Sequence, residues 1–450
     1  MIFVGDDWSE EHHDVCVLDE AGRVLARRQL PEGVAGVAGF HELVGGFADG
    51  PEEVAVAIET DRGLWVAALV SSGYQVYAPN PKAVARYKER YVTSGAKSDP
   101  ADAKVLADLA RTDRHNYRQV AGDSPEAQGI KALARAHHRL IWLRRRQLNA
   151  LRATLREFYP AALAAFGEDL ADRDALAVLG KAPTPKAGRS LTQAAAEAAL
   201  RRAGRQRNVA RRAEEVREAL RSEQLAPPDA MAEAYGAIVR SAVAVVAEMN
   251  RQLEAMEAEL ASHLDRHPDA EVIYSQPGLG TVLGARVLGE FGDDPDRYVD
   301  ARARKNYAGT SPITVSSGKR TPGKRGTVKA RWVANDHLRD ACQLWAFSAL
   351  SASPGARAYY DALRDRKIAH DAALRVVANR LVGILDCCLR RPRPLRRGGG
   401  LGALESRQGR VGNHNKLTSF EPPGADGMAC RASQLKSRSN GNGKKLSTSP

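Results

Sequence analysis

The chain has 450 residues, 43% of them hydrophobic, with 67 Lys/Arg against 54 Asp/Glu and a formal net charge of +13 at pH 7. Such a length suits two or three domains with substantial cores. No apolar run reads as long enough to span a membrane, and the opening MIFVGDDWSEEHHD is acidic where a secretory signal would be basic and then apolar. The five cysteines, Cys16, Cys342, Cys387, Cys388 and Cys430, form no CxxC pair, so neither a zinc site nor a disulfide framework is expected. These features read as a reduced, cytoplasmic protein.

The positive charge is unevenly spread. Residues 391–450 hold 12 Lys/Arg and 3 Asp/Glu, which leaves the first 390 residues close to neutral. Local clusters are more informative: RLIWLRRRQLNALR (139–152), RRAGRQRNVARR (201–212) and GKRTPGKRGTVKARW (318–332). Each alone reads as a solvated face or loop. Three in one chain point to a nucleic-acid partner.

In chain order, IFVGDDW (2–8) predicts a strand and residues 14–30 a hairpin around an Asp/Gly turn. A helix follows over 37–47. The near-continuous apolar run VAVAIET (54–60) predicts a buried central strand. Residues 63–73 read as a helix, 74–79 as a strand and 82–91 as a helix. Another helix opens at Asp99 in KSDPADA, where Asp99 suits an N-cap, Pro100 the first helical position and Asp102 the first turn. A meander followed by alternating helix and strand is the order of the ribonuclease H fold. In that fold the first and fourth strands are neighbours. Asp6 or Asp7 would then lie beside Glu59, and the helix at 99 could bring Asp99 and Asp102 to the same place. Strand alternation alone does not choose between Asp6 and Asp7.

Residues 124–165 read as helical, with stripes at Leu133, Ala136, Leu140, Leu143 and at Leu148, Leu151, Leu155, Phe158. A second long helix covers 229–264, with Ala242, Val245, Met249, Leu253, Met256 and Leu260 on one stripe. Such stripes favour a coiled coil, within the chain or between chains. The Ala/Arg-rich stretch 166–228 predicts short helices. YSQPGLGTVLGARVLGEFGD (274–293) is similar to a helix-hairpin-helix element, and helices resume at 335–351 and 355–389. The overall class is an α/β domain followed by mostly α-helical regions.

Phosphodiester chemistry gives four scattered carboxylates a reason to gather, because two divalent ions can stabilise both the attacking and the leaving oxygen and prefer hard oxygen ligands. VGDDWSEEHHDV, IETDRGLWVAAL, APNPKAVARYKERY and SGAKSDPADAKVLADLAR resemble, in order, the N-terminal domain of the DEDD transposases of the insertion-sequence one-ten family. YAGTSPITVSSGK (307–319), residues 330–360 and AALRVVANRLVGILDCCLR (372–390) resemble that family's C-terminal transposase domain. The resemblance implies an RNase H-like (RuvC-like) domain whose acid quartet falls on Asp7, Glu59, Asp99 and Asp102 with Mg²⁺, and a nucleophilic serine at Ser317, with Ser316 as rival. It further implies DNA cutting and rejoining through a covalent serine–DNA linkage, a bridge non-coding RNA that pairs with target and donor DNA, and a homo-oligomer, dimer or tetramer, joined through the coiled coil.

The expected division is 1–122 for the RNase H-like domain, 123–268 for the helical region, 269–390 for the transposase domain and 391–450 for a disordered basic tail. Three features depart from the family. Asp6 stands where an aliphatic residue is usual, and Asp61 adds an acid near Glu59. Past residue 391, Leu395-Arg-Arg-Gly-Gly-Gly-Leu-Gly402 read one base later can encode Tyr-Asp-Glu-Ala-Ala-Ala-Trp-Gly, an ending of the family's kind, which suggests a frameshift. Three other functions compete: a hydrolytic junction nuclease that needs the acids but not Ser317, a sugar-kinase or actin-like ATPase, which would need further Gly-rich loops downstream, and an inactive nucleic-acid-binding remnant.

Overall fold

A computed structural model of the chain describes residues 1–89, 99–117, 119–120, 122–225, 227–315, 327–331, 334–391 and 394–395. The chain forms two compact units, Met1–Ser124 and the remainder from Pro125.

The first unit runs β1 (Ile2–Trp8), β2 (His12–Leu18), β3 (Val24–Pro31), α1 (Val34–Gly45), β4 (Val54–Ile58), α2 (Leu64–Ser71), β5 (Gln75–Tyr77), α3 (Pro81–Lys88) and α4 (Asp99–Thr112). The sheet order is β3-β2-β1-β4-β5. β1, β2 and β3 pair antiparallel, while β4 joins β1, and β5 joins β4, in parallel. This mixed five-stranded sheet is compatible with the ribonuclease H order expected from the sequence. The hairpin turn works because Gly22 takes φ +81 and the Arg23 amide donates to Asp19 Oδ1 at 2.8 Å.

Both faces of the sheet are covered, so β4 is buried along its whole length. Ile2, Val4, Val15 and Val17 pack with Phe40, Trp65 and Leu69 from α1 and α2. Phe3, Cys16, Ala55 and Ala57 pack on the other side with Val84, Leu106, Ala107 and Ala110 from α3 and α4.

The second unit is almost wholly helical: α5 (Pro125–Phe158), α6 (Pro160–Phe166), α7 (Arg173–Lys181), α8 (Pro185–Ser190), α9 (Gln193–Arg202), α10 (Val209–Arg221), α11 (Asp229–Asp265), α12 (Ala270–Ser275), α13 (Thr281–Phe291), α14 (Ala301–Tyr307), a hairpin of β6 (Ile313–Val315) and β7 (Thr327–Lys329), then α15 (Asp336–Ala352), α16 (Pro354–Asp365) and α17 (His370–Arg390). The sequence had the region 355–389 as one helical stretch. It divides at 366–369, where Lys367 takes φ +61.

α5 and α11 form a long antiparallel pair. Arg144 Nη1 donates to Asn250 Oδ1 at 2.8 Å, His137 Nε2 meets Glu257 Oε1 at 3.2 Å, and Phe158 stacks on Tyr235 at 4.9 Å. The buried seam of α11 is Gly236, Val239, Val243, Val246, Leu253, Leu260 and Leu264. With Asn250 and Glu257 in the two gaps, the spacing is an unbroken alternation of three and four. The seam of α5 follows the same rule from Ala127 to Phe158, through His137 and Arg144. The stripes expected from sequence differ. Leu151, Leu155 and Phe158 are buried, but Val245 and Leu143 are each 41% exposed. An apolar-only search slides to the flank wherever the true seam carries a polar residue.

Two cores lie at opposite ends of this pair. One joins Leu151, Leu155, Phe158, Val239 and Val243 to α6–α10, and the other joins Ile130, Ala134, Leu260 and Leu264 to α12–α17. Against the expectation from sequence, α11 is long and apolar enough to cross a membrane by length and composition alone. Its seam is committed to α5 and to the core built on α6–α10.

The seam assignment is testable by denaturation of the full chain. Leu253→Ala empties a buried layer and costs about 2–4 kcal/mol, whereas Val245→Ala on the exposed flank costs under about 0.5 kcal/mol. Equal losses would restore the stripe read from sequence.

Candidate active site

The site begins with a close approach. A Cβ at Gly5 would lie 1.9 Å from the Ala103 carbonyl oxygen and 2.3 Å from the Ala107 amide nitrogen, so α4 rests its backbone on β1. Two residues back along β1, Arg114 lies over the Phe3 ring at 5.1 Å. The helix therefore runs opposite to β1. Its first turn, with Asp99 and Asp102, reaches the end of the strand that carries Asp7.

β4 ends at the same edge. Its parallel register pairs Asp6 with Ile58, so Asp7 and Glu59 are each the next residue out. Alternation puts Asp7 on the α4 face with Phe3 and Gly5. Asp7 and Glu59 are both partly exposed, as a site open to substrate requires. Asp102 is paired with Lys88 Nζ at 2.7 Å, from the last residue of α3. Asp99 opens α4, and its side chain lies outside the described residues. Ser317 and its rival Ser316 fall between β6 and β7 and also lie outside them, as do Lys319 and Arg320. Among the described residues, no three His, Cys, Asp or Glu side chains stand close enough to hold a metal ion.

Asp6 belongs to the other face. It is fully buried, accepts from Trp65 Nε1 at 2.6 Å, and meets His13 Nδ1 at 2.8 Å. His13 stacks on Trp65 with ring centroids 3.7 Å apart, and its Nε2 reaches Glu32 Oε2 at 2.6 Å. Burial opposes a charge on His13, but hydrogen bonds and attraction from Asp6 and Glu32 outweigh it and raise its pKa. The unusual acid thus sits behind the strand, in a buried network that ties β1 to β2 and α2. Asp61 is exposed.

Sequence reasoning missed two side chains at this edge. Asp14 of β2 pairs directly across from Asp7, so the two share a face. It is bridged to His12 at 3.3 Å. Counting outward from the β1–β2 turn at residues 9–11, where the Ser9 amide donates to the His12 carbonyl, would have found it. Lys88 was passed over because it ends a helix among other basic residues.

Residues 4–160 match the family model of DEDD transposases of IS110, described as transposase, and residues 270–361 match the family described as Transposase IS116/IS110/IS902. Both ends of the chain thus resemble one class, enzymes that recombine DNA. A Streptomyces coelicolor mini-circle protein named as a transposase for IS117 is 42% identical over 396 residues, covering 86% of this chain and 94% of that protein. The 43.6 kDa protein of insertion element IS110 from the same organism and the 42 kDa protein of IS900 from Mycobacterium paratuberculosis are each 28% identical, with the same coverage. The chain belongs to the IS110 family of insertion-sequence transposases.

Removing the Asp6 carboxylate leaves the Trp65 N–H and His13 without their buried acceptor. Asp6→Ala should lower the stability of the full chain by about 2–4 kcal/mol in chemical denaturation, and Asp6→Asn by less, because its amide oxygen still accepts from Trp65. An unchanged midpoint in Asp6→Ala would show that the network contributes nothing.

Proposed function

We propose that this chain is the RNA-guided DNA recombinase of an insertion sequence, with Asp7, Glu59, Asp99 and Asp102 holding divalent ions and Ser317 acting as nucleophile. The observation that carries this reading is that the ends of β1 and β4 meet the first turn of α4 at one edge, while Asp6 is satisfied elsewhere; the described acids line that edge without grouping tightly enough for a metal ion by themselves. Asp7, Glu59 and Asp102 are all carboxylates, the hard donors that Mg²⁺ prefers. Lys88 already neutralises Asp102 with a cation, which fits a position that attracts positive charge. When bound, the ions would offset charge at the scissile phosphate. Ser317 gives up its proton as its oxygen bonds to phosphorus, and the strand-end hydroxyl that leaves takes a proton.

The RNase H-like reading of the first unit, bounded at 122, rests on sheet order and register. We divide the remainder near 268 by the ends of the long helices, although α5 and α11 each contribute to both cores and the remainder packs as one unit. We read that pair as a coiled coil whose open flank, with Ile238 52% and Val245 41% exposed, joins copies into a dimer or tetramer. The α12–turn–α13 segment is read as the helix-hairpin-helix element, its Gly278 at φ +81 and pressed on the backbone of α15. Base pairing by a bridge RNA would supply target choice while the protein grips backbone. We assign the enzyme to the cytoplasm.

A cellular excision and integration assay, with element ends and the flanking non-coding stretch supplied, tests the site. Alanine at Asp7, Glu59, Asp99 or Asp102 should lower recombination by about 100-fold or more. Ser317→Ala should do the same. Strand cutting that survives Ser317→Ala would favour a hydrolytic junction nuclease, and full recombination in the acid variants would overturn the quartet.

The tail reading is tested separately. The last helix closes with Arg390 bonded to Asp386 Oδ2 at 3.0 Å and to the Tyr298 carbonyl at 2.7 Å. A chain stopped after Arg391 should melt within about 2 °C of the full chain. A larger fall would assign the residues from 392 onward a part in the fold.

A further inference from the structure

The basic stretch at 139–152 has a place in the fold that the recombination chemistry does not use. Between residues 127 and 156, α5 carries eight Lys/Arg and no Asp/Glu. Some of these are committed: Arg135 grips Glu290 through two bonds of 2.6 and 2.9 Å, Arg144 lies in the seam with Asn250, and Arg152 donates to the Gly167 carbonyl at 3.1 Å. Arg139 and Arg146 are exposed on the side away from the seam. Between them, three and four residues away, stands Trp142, 52% exposed. These three share one stripe of the helix.

An indole in water and a row of like charges without acids on the same helix are each unfavourable alone. Trp142 is also held in place. Its ring lies 4.5 Å from that of His138, which is buried and lies 3.5 Å from Asp340 Oδ2 and 3.5 Å from Arg286 Nη2. A restrained aromatic ring flanked by guanidinium groups suits a ligand with both a flat apolar face and negative charge. An unpaired nucleotide strand has both. Arg139 and Arg146 are about 10 Å apart along the helix axis, roughly the rise of three stacked nucleotides. Duplex would offer phosphates but keep its base faces covered.

We propose that α5 is a docking rail for an unpaired nucleic-acid segment, with one base stacked on Trp142 and the flanking phosphates on Arg139 and Arg146. This rests on the reading of the chain as a nucleic-acid recombinase, but it concerns binding rather than the acid quartet.

The full chain is titrated with an oligonucleotide of about 12 unpaired nucleotides, in DNA and RNA arms, and with a duplex of the same length. Tryptophan emission should fall with unpaired strand in either or both arms, and Trp142→Phe should remove most of that fall while losing affinity only a few-fold. Trp142→Ala should bind about 10- to 100-fold more weakly. Arg139→Gln with Arg146→Gln should flatten the slope of log affinity against log salt by about 1.4, and lysine at both positions should restore it. Melting temperatures equal to wild type exclude unfolding as the cause. Wild-type affinity in Trp142→Ala, a preference for duplex, or an emission change that follows protein concentration instead of oligonucleotide would each overturn the proposal. The quartet is read separately in the recombination assay, where its acid variants lose activity, so failure of the rail and failure of the quartet are told apart.

Discussion

The absence of a side chain at residue 5 governs the first unit. With Gly5 in place, α4 lies directly on the central strand, and its first turn reaches the strand end. Any larger residue would push against helix backbone, which cannot swing away as a flexible side chain can. Helix and strand would separate, and Asp102 would draw away from Asp7. The three acids come from elements far apart in sequence, and a single contact between two backbones sets the distance between two of those elements.

That face is paired with a second one of different chemistry. Behind β1, Asp6, His13, Trp65 and Glu32 form a polar chain inside an otherwise apolar layer. Adjacent acids on one strand therefore have separate surroundings, because alternation sends them to opposite sides. Buried polar groups of this kind restrict the neighbours that can be accommodated. The network fixes β1 against β2 and α2, so the strand that presents Asp7 is held from both sides.

Much of this was legible in the sequence where periodicity and punctuation agree. The strands at 2–8 and 54–58, the hairpin turn and the opening of α4 follow from apolar runs, Asp/Gly turns and Asp-Pro. The identity of the buried face did not follow. Alternation left Asp6 and Asp7 open, and the resemblance put the quartet on Asp7; that Asp7 shares a face with α4 while Asp6 is buried behind the strand is a tertiary fact. The long helices were harder. Arg144, Asn250 and His137 occupy inward positions, with Glu257 reaching His137 from an exposed site, and a search for apolar stripes steps around them onto Val245 and Leu143. Asp14 and Lys88 were hidden for a related reason, since each reaches the candidate edge through pairing across elements and has no local motif.

The two polar layers between α5 and α11 restrict how this part of the molecule can change length. Sliding one helix by a single repeat sets Arg144 against Val243 and Glu257 against Ile130 in one direction, and Asn250 against Leu151 and His137 against Leu264 in the other. Insertions or deletions in one arm alone are therefore poorly tolerated, while matched additions of seven residues to both arms keep each layer opposite its mate. Relatives with a longer or shorter span between the two helical cores are expected to differ by whole, paired heptads.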